Sequence, residues 1–167
     1  MHAIWNHVNL GNLRIIAAGQ STVVLTDGVY AIKIGLIDHK QPKMIAYAHM
    51  HGFSVPMIAY ERYVTIPQFI QKMIEKTDFY QNAELYTDQD YKLVSFIQNN
   101  CADVMIVGLA DPYMDHAKEY TESEIENAYA VANNVKDNYE TLTRGKWMDV
   151  HPWNLARYNG SIVIIDF

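Results

Sequence analysis

The chain has 167 residues, of which 50% are hydrophobic, 12% aromatic and 19% charged, a balance that excludes a disordered or low-complexity protein. Thirteen Lys and Arg against nineteen Asp and Glu leave a net charge of −6, so no broad nucleic-acid surface is expected, although a local basic pocket is compatible with it. One cysteine, Cys101, excludes an intrachain disulfide and a Cys-rich zinc site and fits a reducing cytosol.

The opening residues Met1 to His7 lack a basic region followed by an apolar stretch, and no apolar run approaches the length of a membrane span. A cytoplasmic protein without membrane attachment is therefore expected. The length suits one compact domain, or two small lobes sharing a hinge.

Residues 12–35 read as strands: Leu13 to Ala17, then Thr22 to Thr26 and Val29 to Ile34 around Asp27-Gly28. Asp-Gly between β-rich runs predicts a two-residue hairpin, with Thr26 opposite Val29, Val24 opposite Ala31 and Thr22 opposite Lys33. Residues 41–51 predict a short helix ending near Gly52. Pro56 to Tyr60 and Tyr63 to Ile66 predict a second, tighter hairpin, closed by Pro67. Beyond it the pattern turns helical, with Tyr91, Val94 and Ile97 at helical spacing, as are Ile125, Ala128, Ala132, Val135, Tyr139 and Leu142. Thr121 or Ser123 is a candidate cap for the second of these helices. Residues 101–120 carry no clear pattern. Leu155 to Tyr158 and Ser161 to Ile165, around Asn159-Gly160, predict a closing hairpin. There is no internal repeat.

Two groups of residues could carry chemistry. Strand alternation puts Val24, Ala31 and Lys33 on one face, just beyond the turn Gly19-Gln20-Ser21. Such a face offers small apolar groups to a flat ring, an ammonium to phosphates, and turn amides to an anion. Taken alone, the same pattern also describes an amphipathic hairpin whose lysine reaches solvent. The second group is Asp149-Val150-His151-Pro152-Trp153-Asn154, followed after the closing hairpin by Asp166-Phe167. Carboxylates and a carboxamide are hard oxygen ligands suited to magnesium, with Asp149 available to accept a hydroxyl proton while Asn154 and Asp166 hold the ion. A polar loop with an Asn cap and a surface Asp is the plain alternative. The apolar run Ile162 to Ile165 before Asp166 instead predicts a buried strand that delivers a carboxylate.

In order along the chain, these pieces resemble the protein-kinase-like family. Gly19-Gln20-Ser21 resembles the turn that covers the nucleotide, and Val29-Tyr30-Ala31-Ile32-Lys33 the V-A-I-K strand. Asp149 to Asn154 resembles the catalytic loop, and Ile165-Asp166-Phe167 the start of D-F-G. The form D-x-H-P-x-N is closest to aminoglycoside-phosphotransferase-like branches, and the short spacing looks most like the small early serine/threonine kinases of lytic bacteriophages.

The resemblance implies an α+β, truncated two-lobed kinase-like fold, a single compact unit. Residues 1–67 would be a small antiparallel nucleotide-covering sheet. Residues 68–167 would be a reduced, mostly helical part with the catalytic loop and a metal-binding hairpin. It implies ATP and magnesium (Mg2+) as cofactors. Asp149 and Lys33 become catalytic, and Gly19, Gln20, Ser21, Val24, Ala31 and Lys33 bind nucleotide. The backbone near Ile66 to Gln68 would meet the adenine edge, and Asn154 and Asp166 would hold the metal. Implied partners are a host protein substrate, the chain itself through autophosphorylation, and a second copy in a homo-oligomer.

The sequence departs from the pattern in stated ways. Of the usual glycines only Gly19 is present, and Trp147 takes the place of the usual histidine. No glutamate occurs in residues 41–51, leaving Asp38 or Gln41 as substitutes. The sequence given ends at Phe167, before an activation segment or further helices. Alternative functions are a pseudokinase that binds and redirects a host protein, and a small-molecule kinase of the antibiotic-phosphorylating sort. His49 and His51 are expected to be exposed, the acidic residues from Asp103 to Glu126 to form a solvated face, and Cys101 to be buried.

Overall fold

The computed structural model describes residues 2–19, 21–81, 98–112, 121–143 and 154–165. They form an α+β protein with a small antiparallel sheet and few helices. The elements in order are β1 (Arg14–Ala18), β2 (Thr22–Thr26), β3 (Tyr30–Gly35), α1 (Gln41–Met50), β4 (Met57–Thr65), α2 (Gln68–Ile74), α3 (Asp78–Gln81), β5 (Cys101–Gly108), β6 (Asp111–Pro112), α4 (Glu122–Thr143), β7 (Leu155–Tyr158) and β8 (Ser161–Ile164). Among the described residues no helix is long and apolar enough to cross a membrane.

The chain divides into two compact units, Met1–Asp38 with Ile58–Gly108, and His39–Met57 with Leu109–Phe167. This division differs from the expected one into 1–67 and 68–167. The described residues of 68–108 group with the first sheet because β5 pairs with β3.

The first unit is a five-stranded sheet in the order β1-β2-β3-β5-β4. One face carries the core: Val23, Leu25, Ile32, Ile34, Ala102, Val104 and Ile106 pack with Val64, Ile66, Ile70 and Ile74. Alternation explains the set, since every second residue of β2, β3 and β5 points to this side. Two 3-10 turns, Ala3–His7 and Leu10–Asn12, precede β1. The first adds Ile4 and Trp5 to the core, and the Trp5 indole N–H donates to the Thr65 carbonyl at 3.3 Å. Burying that large ring with its one polar atom paired anchors the N-terminal segment.

The connection from β2 to β3 is longer than Asp-Gly predicts. Thr26 pairs with Ala31, Val24 with Lys33 and Thr22 with Gly35, so four residues, Asp27 to Tyr30, make the turn. A two-residue turn of this kind needs φ > 0 at both central positions. Of the pair, only Gly28 has it, at 94°. Asp27 instead folds its carboxylate back: Oδ1 accepts from the Val29 and Tyr30 N–H groups at 2.9 and 2.8 Å, and Oδ2 from the Asn9 N–H at 3.0 Å. Thr26 Oγ1 donates to the Tyr30 carbonyl at 2.8 Å and accepts from the Gly28 N–H at 3.0 Å. The aspartate makes its own turn, as Asx side chains do.

The expected second hairpin, Pro56 to Tyr60 with Tyr63 to Ile66, is absent. Residues Met57–Thr65 are one nine-residue strand. Glu61-Arg62 offers no Gly or Asn for a tight turn. The irregularity falls instead at Tyr63, whose φ is 57° and whose N–H donates to Asp103 Oδ1 at 3.2 Å. The unassigned stretch after residue 100 holds β5, whose residues from Ala102 to Gly108 are all buried.

The second unit contains α1, α4 and a three-stranded antiparallel sheet in the order β6-β7-β8. Helix α1 ends as expected: Gly52, at φ 77°, donates to the His49 carbonyl, and the Phe53 N–H donates to that of Ala48 at 2.8 Å. Thr121 caps α4. Its Oγ1 accepts from the Glu124 N–H at 3.3 Å while Glu124 Oε2 accepts from the Thr121 N–H at 3.0 Å, a capping box.

The Asp27 carboxylate yields a stability prediction. Burial alone would raise its pKa, but the N–H groups of Asn9, Tyr30 and Val29 outweigh burial and hold it below the ordinary value. A carboxyl whose folded pKa is depressed stabilises the fold above its unfolded pKa, about 3.9, and loses that contribution as pH falls through the folded value. Asp27→Ala should cost about 1–3 kcal/mol at neutral pH by removing the acceptor of three backbone N–H groups. Urea unfolding at pH 7 and below pH 4 measures both, and the variant should converge on wild type at the acid end.

Candidate functional site

The face of the first sheet opposite its core is built from three cross-strand rows. Thr22, Gly35 and Asp103 make the first, Val24, Lys33 and Met105 the second, and Thr26, Ala31 and Val107 the third. The four-residue turn moved the pairing of β2 with β3 by two positions. An even shift leaves every side chain on its own face, so Val24, Ala31 and Lys33 share a face as expected. Ala31 and Lys33 are 9% and 8% exposed, and Val24 is half-buried. Lysine is rarely buried to that extent unless paired.

The turn before β2 is tied at both ends. The Gly19 N–H donates to the Thr22 carbonyl at 2.9 Å, and the Leu36 N–H donates to the Ser21 carbonyl at 2.8 Å. Gly19 and Ser21 are exposed at the edge of the Lys33 face. Gln20 lies outside the described residues.

The backbone expected to meet an adenine edge, Ile66 to Gln68, runs from the end of β4 into α2. Ile66 is 1% exposed and belongs to the core on the other side of the sheet, and Gln68 is exposed in the first turn of α2. The strand beside β3 is β5, so Met105 and Val107, at 0% and 3% exposure, complete the face. These two residues were missed. The signal was a continuous apolar run, Val104 to Val107, which marks a strand buried on both sides. Asp103 and the acidic residues after it obscured the run.

Asp103 departs from the expected solvated face. It is 2% exposed, accepts from the Tyr63 N–H, and lies 3.7 Å from the Arg62 guanidinium. Burial raises the pKa of the neighbouring Tyr60 phenol, and the Asp103 charge raises it further. The Arg62 guanidinium stacks over the exposed Tyr63 ring at 4.8 Å.

In the second unit, β7 and β8 bring the two ends of the closing hairpin together. Leu155 pairs with Ile164, and the Ile165 N–H donates to the Asn154 carbonyl at 2.8 Å. Val163 and Ile164 are buried as expected of the strand, and Asn154 is half-buried at its mouth. Ser54 ties the hairpin down: its Oγ donates to the Ile164 carbonyl at 2.9 Å, and the Ile164 N–H donates to the Phe53 carbonyl. Arg157 reaches α4, 2.9 Å from Glu124. The Thr121 N–H and then Arg157 hold the Glu124 carboxyl below its usual pKa. Asp149, Asp166 and Phe167 lie outside the described residues.

His49 and His51 are exposed, with His49 Nδ1 at 3.0 Å from the Ser54 carbonyl and the His51 ring beside Tyr47. No group of three metal-ligating side chains occurs among the described residues. Cys101 is half-buried rather than buried. Comparison with known proteins finds no family model, no curated protein and no solved structure that matches the chain.

The closing hairpin gives a prediction of its own. Asn159 and Gly160 have φ of 50° and 81°, the two-residue turn that Asn-Gly predicts. A Cβ at Gly160 would meet nothing within 4 Å, so a substitution is resisted by backbone conformation alone. Gly160→Ala should cost about 1–2 kcal/mol, lowering the thermal midpoint by about 2–4 °C per kcal/mol in a chain of this size. Asn154 and Ile165 amide shifts should follow the loss.

Proposed function

We propose that the chain is an ATP- and magnesium-dependent phosphotransferase of the protein-kinase-like kind, modifying serine or threonine on host proteins or on itself. The observation that carries this reading is the face built by Val24, Ala31 and Lys33. It joins a buried ammonium on the third strand, where the family has its lysine, to two small apolar groups that fit a flat ring. Met105 and Val107 extend that apolar surface on β5, and Gly19 and Ser21 lie exposed at its edge. Phosphoryl transfer asks mainly for positioning and charge neutralisation, which a lysine held in a sheet row would serve.

The second unit supports the same reading through the Asn154–Ile165 hydrogen bond. It fastens one proposed magnesium ligand, Asn154, beside the residue that precedes the other, Asp166. A carboxamide and a carboxylate form a hard oxygen set that fits magnesium. When bound, that ion neutralises charge on the β- and γ-phosphates. In this reading Lys33 orients the phosphates, and Asp149 orients the acceptor hydroxyl and takes its proton. The bacteriophage resemblance would put the reaction in a host cytoplasm.

The absence of glutamate from α1 favours a second reading, a pseudokinase that binds a host protein without transferring phosphate. Radiolabelled transfer from ATP, to the chain itself and then to bacterial lysate, separates the two. Asp149→Asn keeps the shape of the side chain and removes its basicity. It should bind ATP nearly as wild type does and lose about 10²- to 10⁴-fold in transfer. Lys33→Met should lower transfer whatever happens to total affinity. ATP should bind more weakly in excess chelator than in magnesium, and equal affinity in both would count against Asn154 and Asp166 as ligands. No transfer by the wild-type chain would leave the pseudokinase.

A further inference from the structure

Gly35 ends β3 at the place where the turn before β2 meets the sheet. It pairs with Thr22 and stands two residues beyond Lys33 on the same face. Its φ is 149°, a conformation that side chains rarely adopt. A Cβ built there would overlap the Ser21 carbonyl oxygen and stand 2.9 Å from Thr22 Cα and 3.0 Å from the Ser21 carbonyl carbon. All three obstacles are backbone, which cannot swing aside as a flexible side chain would. Gly19 tolerates more, since its nearest neighbour, the Thr22 carbonyl oxygen, would be at 3.7 Å. The close approach is thus a property of position 35 and not of the turn's own glycine.

The neighbouring hydrogen bonds show what the close approach does. The Leu36 N–H, next along the chain, holds the Ser21 carbonyl at 2.8 Å, and the Gly19 N–H closes onto Thr22. The turn is therefore pressed against β3 at Gly35 and fastened on both sides of that contact. Lys33 lies in the adjacent row, opposite Val24.

We propose that Gly35 is a positioning residue that sets how closely Ser21 lies against the end of β3, and so the fit of the site to nucleotide phosphates rather than to the base. This rests on the phosphotransferase reading above. A side chain at position 35 would push the Ser21 carbonyl away from the end of β3, whereas Ala31, Met105 and Val107 lie in other rows. Phosphate recognition would fall and base recognition would stay.

The test compares ATP with adenosine on wild type and Gly35→Ala by calorimetry in magnesium. The expected result is a loss of tenfold or more for ATP with adenosine affinity within about twofold of wild type, a split that general destabilisation does not produce. Equal ATP affinity in the two proteins, or equal losses for ATP and adenosine, overturns the inference. Should the variant not fold, amide exchange on the wild-type chain decides. ATP should slow exchange at Gly19 and Leu36 and adenosine should not. Equal protection by both ligands, or by neither, overturns it. A wild-type chain that binds adenosine but no ATP overturns the phosphotransferase reading together with this inference, whereas ATP binding with no change at Gly35→Ala overturns the inference alone.

Discussion

The pairing of β3 with β5 is the constraint on which the first unit depends. Lys33 opposite Met105, Ala31 opposite Val107 and Gly35 opposite Asp103 fix which residues share a face. The same register sends Ile32, Ile34, Val104 and Ile106 to the other side, where they meet Trp5, Ile66, Ile70 and Ile74. Because the side-chain period of a strand is two, core and polar face are determined together. A slip of one residue would exchange the two faces and put Lys33 among the isoleucines of the core. Burial of each such aliphatic side chain is worth about 1.5–3 kcal/mol, so the lysine's position is held by the hydrophobic side of the sheet.

That coupling explains how much of the site was legible. The face of Val24, Ala31 and Lys33 followed from alternation and survived an error in register, since the error was even. β7, β8 and their Asn-Gly turn, the end of α1 at Gly52 and the Thr121 cap were written in local chemistry and stand where the sequence places them. β5 was not legible, because its identity depends on a partner strand far away in sequence. Its apolar run is too short for periodicity to distinguish strand from buried helix, and Asp103 interrupts it.

Asp103 shows how such a residue can be misread. A run of acidic residues is ordinarily a solvated surface. This one sits inside the sheet because two groups on β4 make use of it. The Tyr63 N–H, turned out of the ladder by a left-handed φ, needs an acceptor, and the Arg62 guanidinium supplies an opposite charge at 3.7 Å. Burying a carboxylate is costly unless it is hydrogen-bonded and paired, and both conditions come from a strand irregularity that no local pattern announces.

The Asp27-Gly28 and Asn159-Gly160 turns share one sequence signal and take different forms, and the difference lies in the first residue. Asn159 accepts a left-handed conformation, and the Gly160 that follows has open space around it, so the two-residue turn forms without help. Asp27 has a better alternative. An ionised carboxylate binds three backbone N–H groups, two within the turn and one from Asn9, and Asn12 donates to its carbonyl at 2.7 Å. Charge-assisted hydrogen bonds of this kind are about twice as strong as neutral ones. Together they favour the longer turn over the tight one and lock the segment before β1 onto the sheet. The dipeptide thus marks where the chain reverses; the groups within reach of its first side chain decide how.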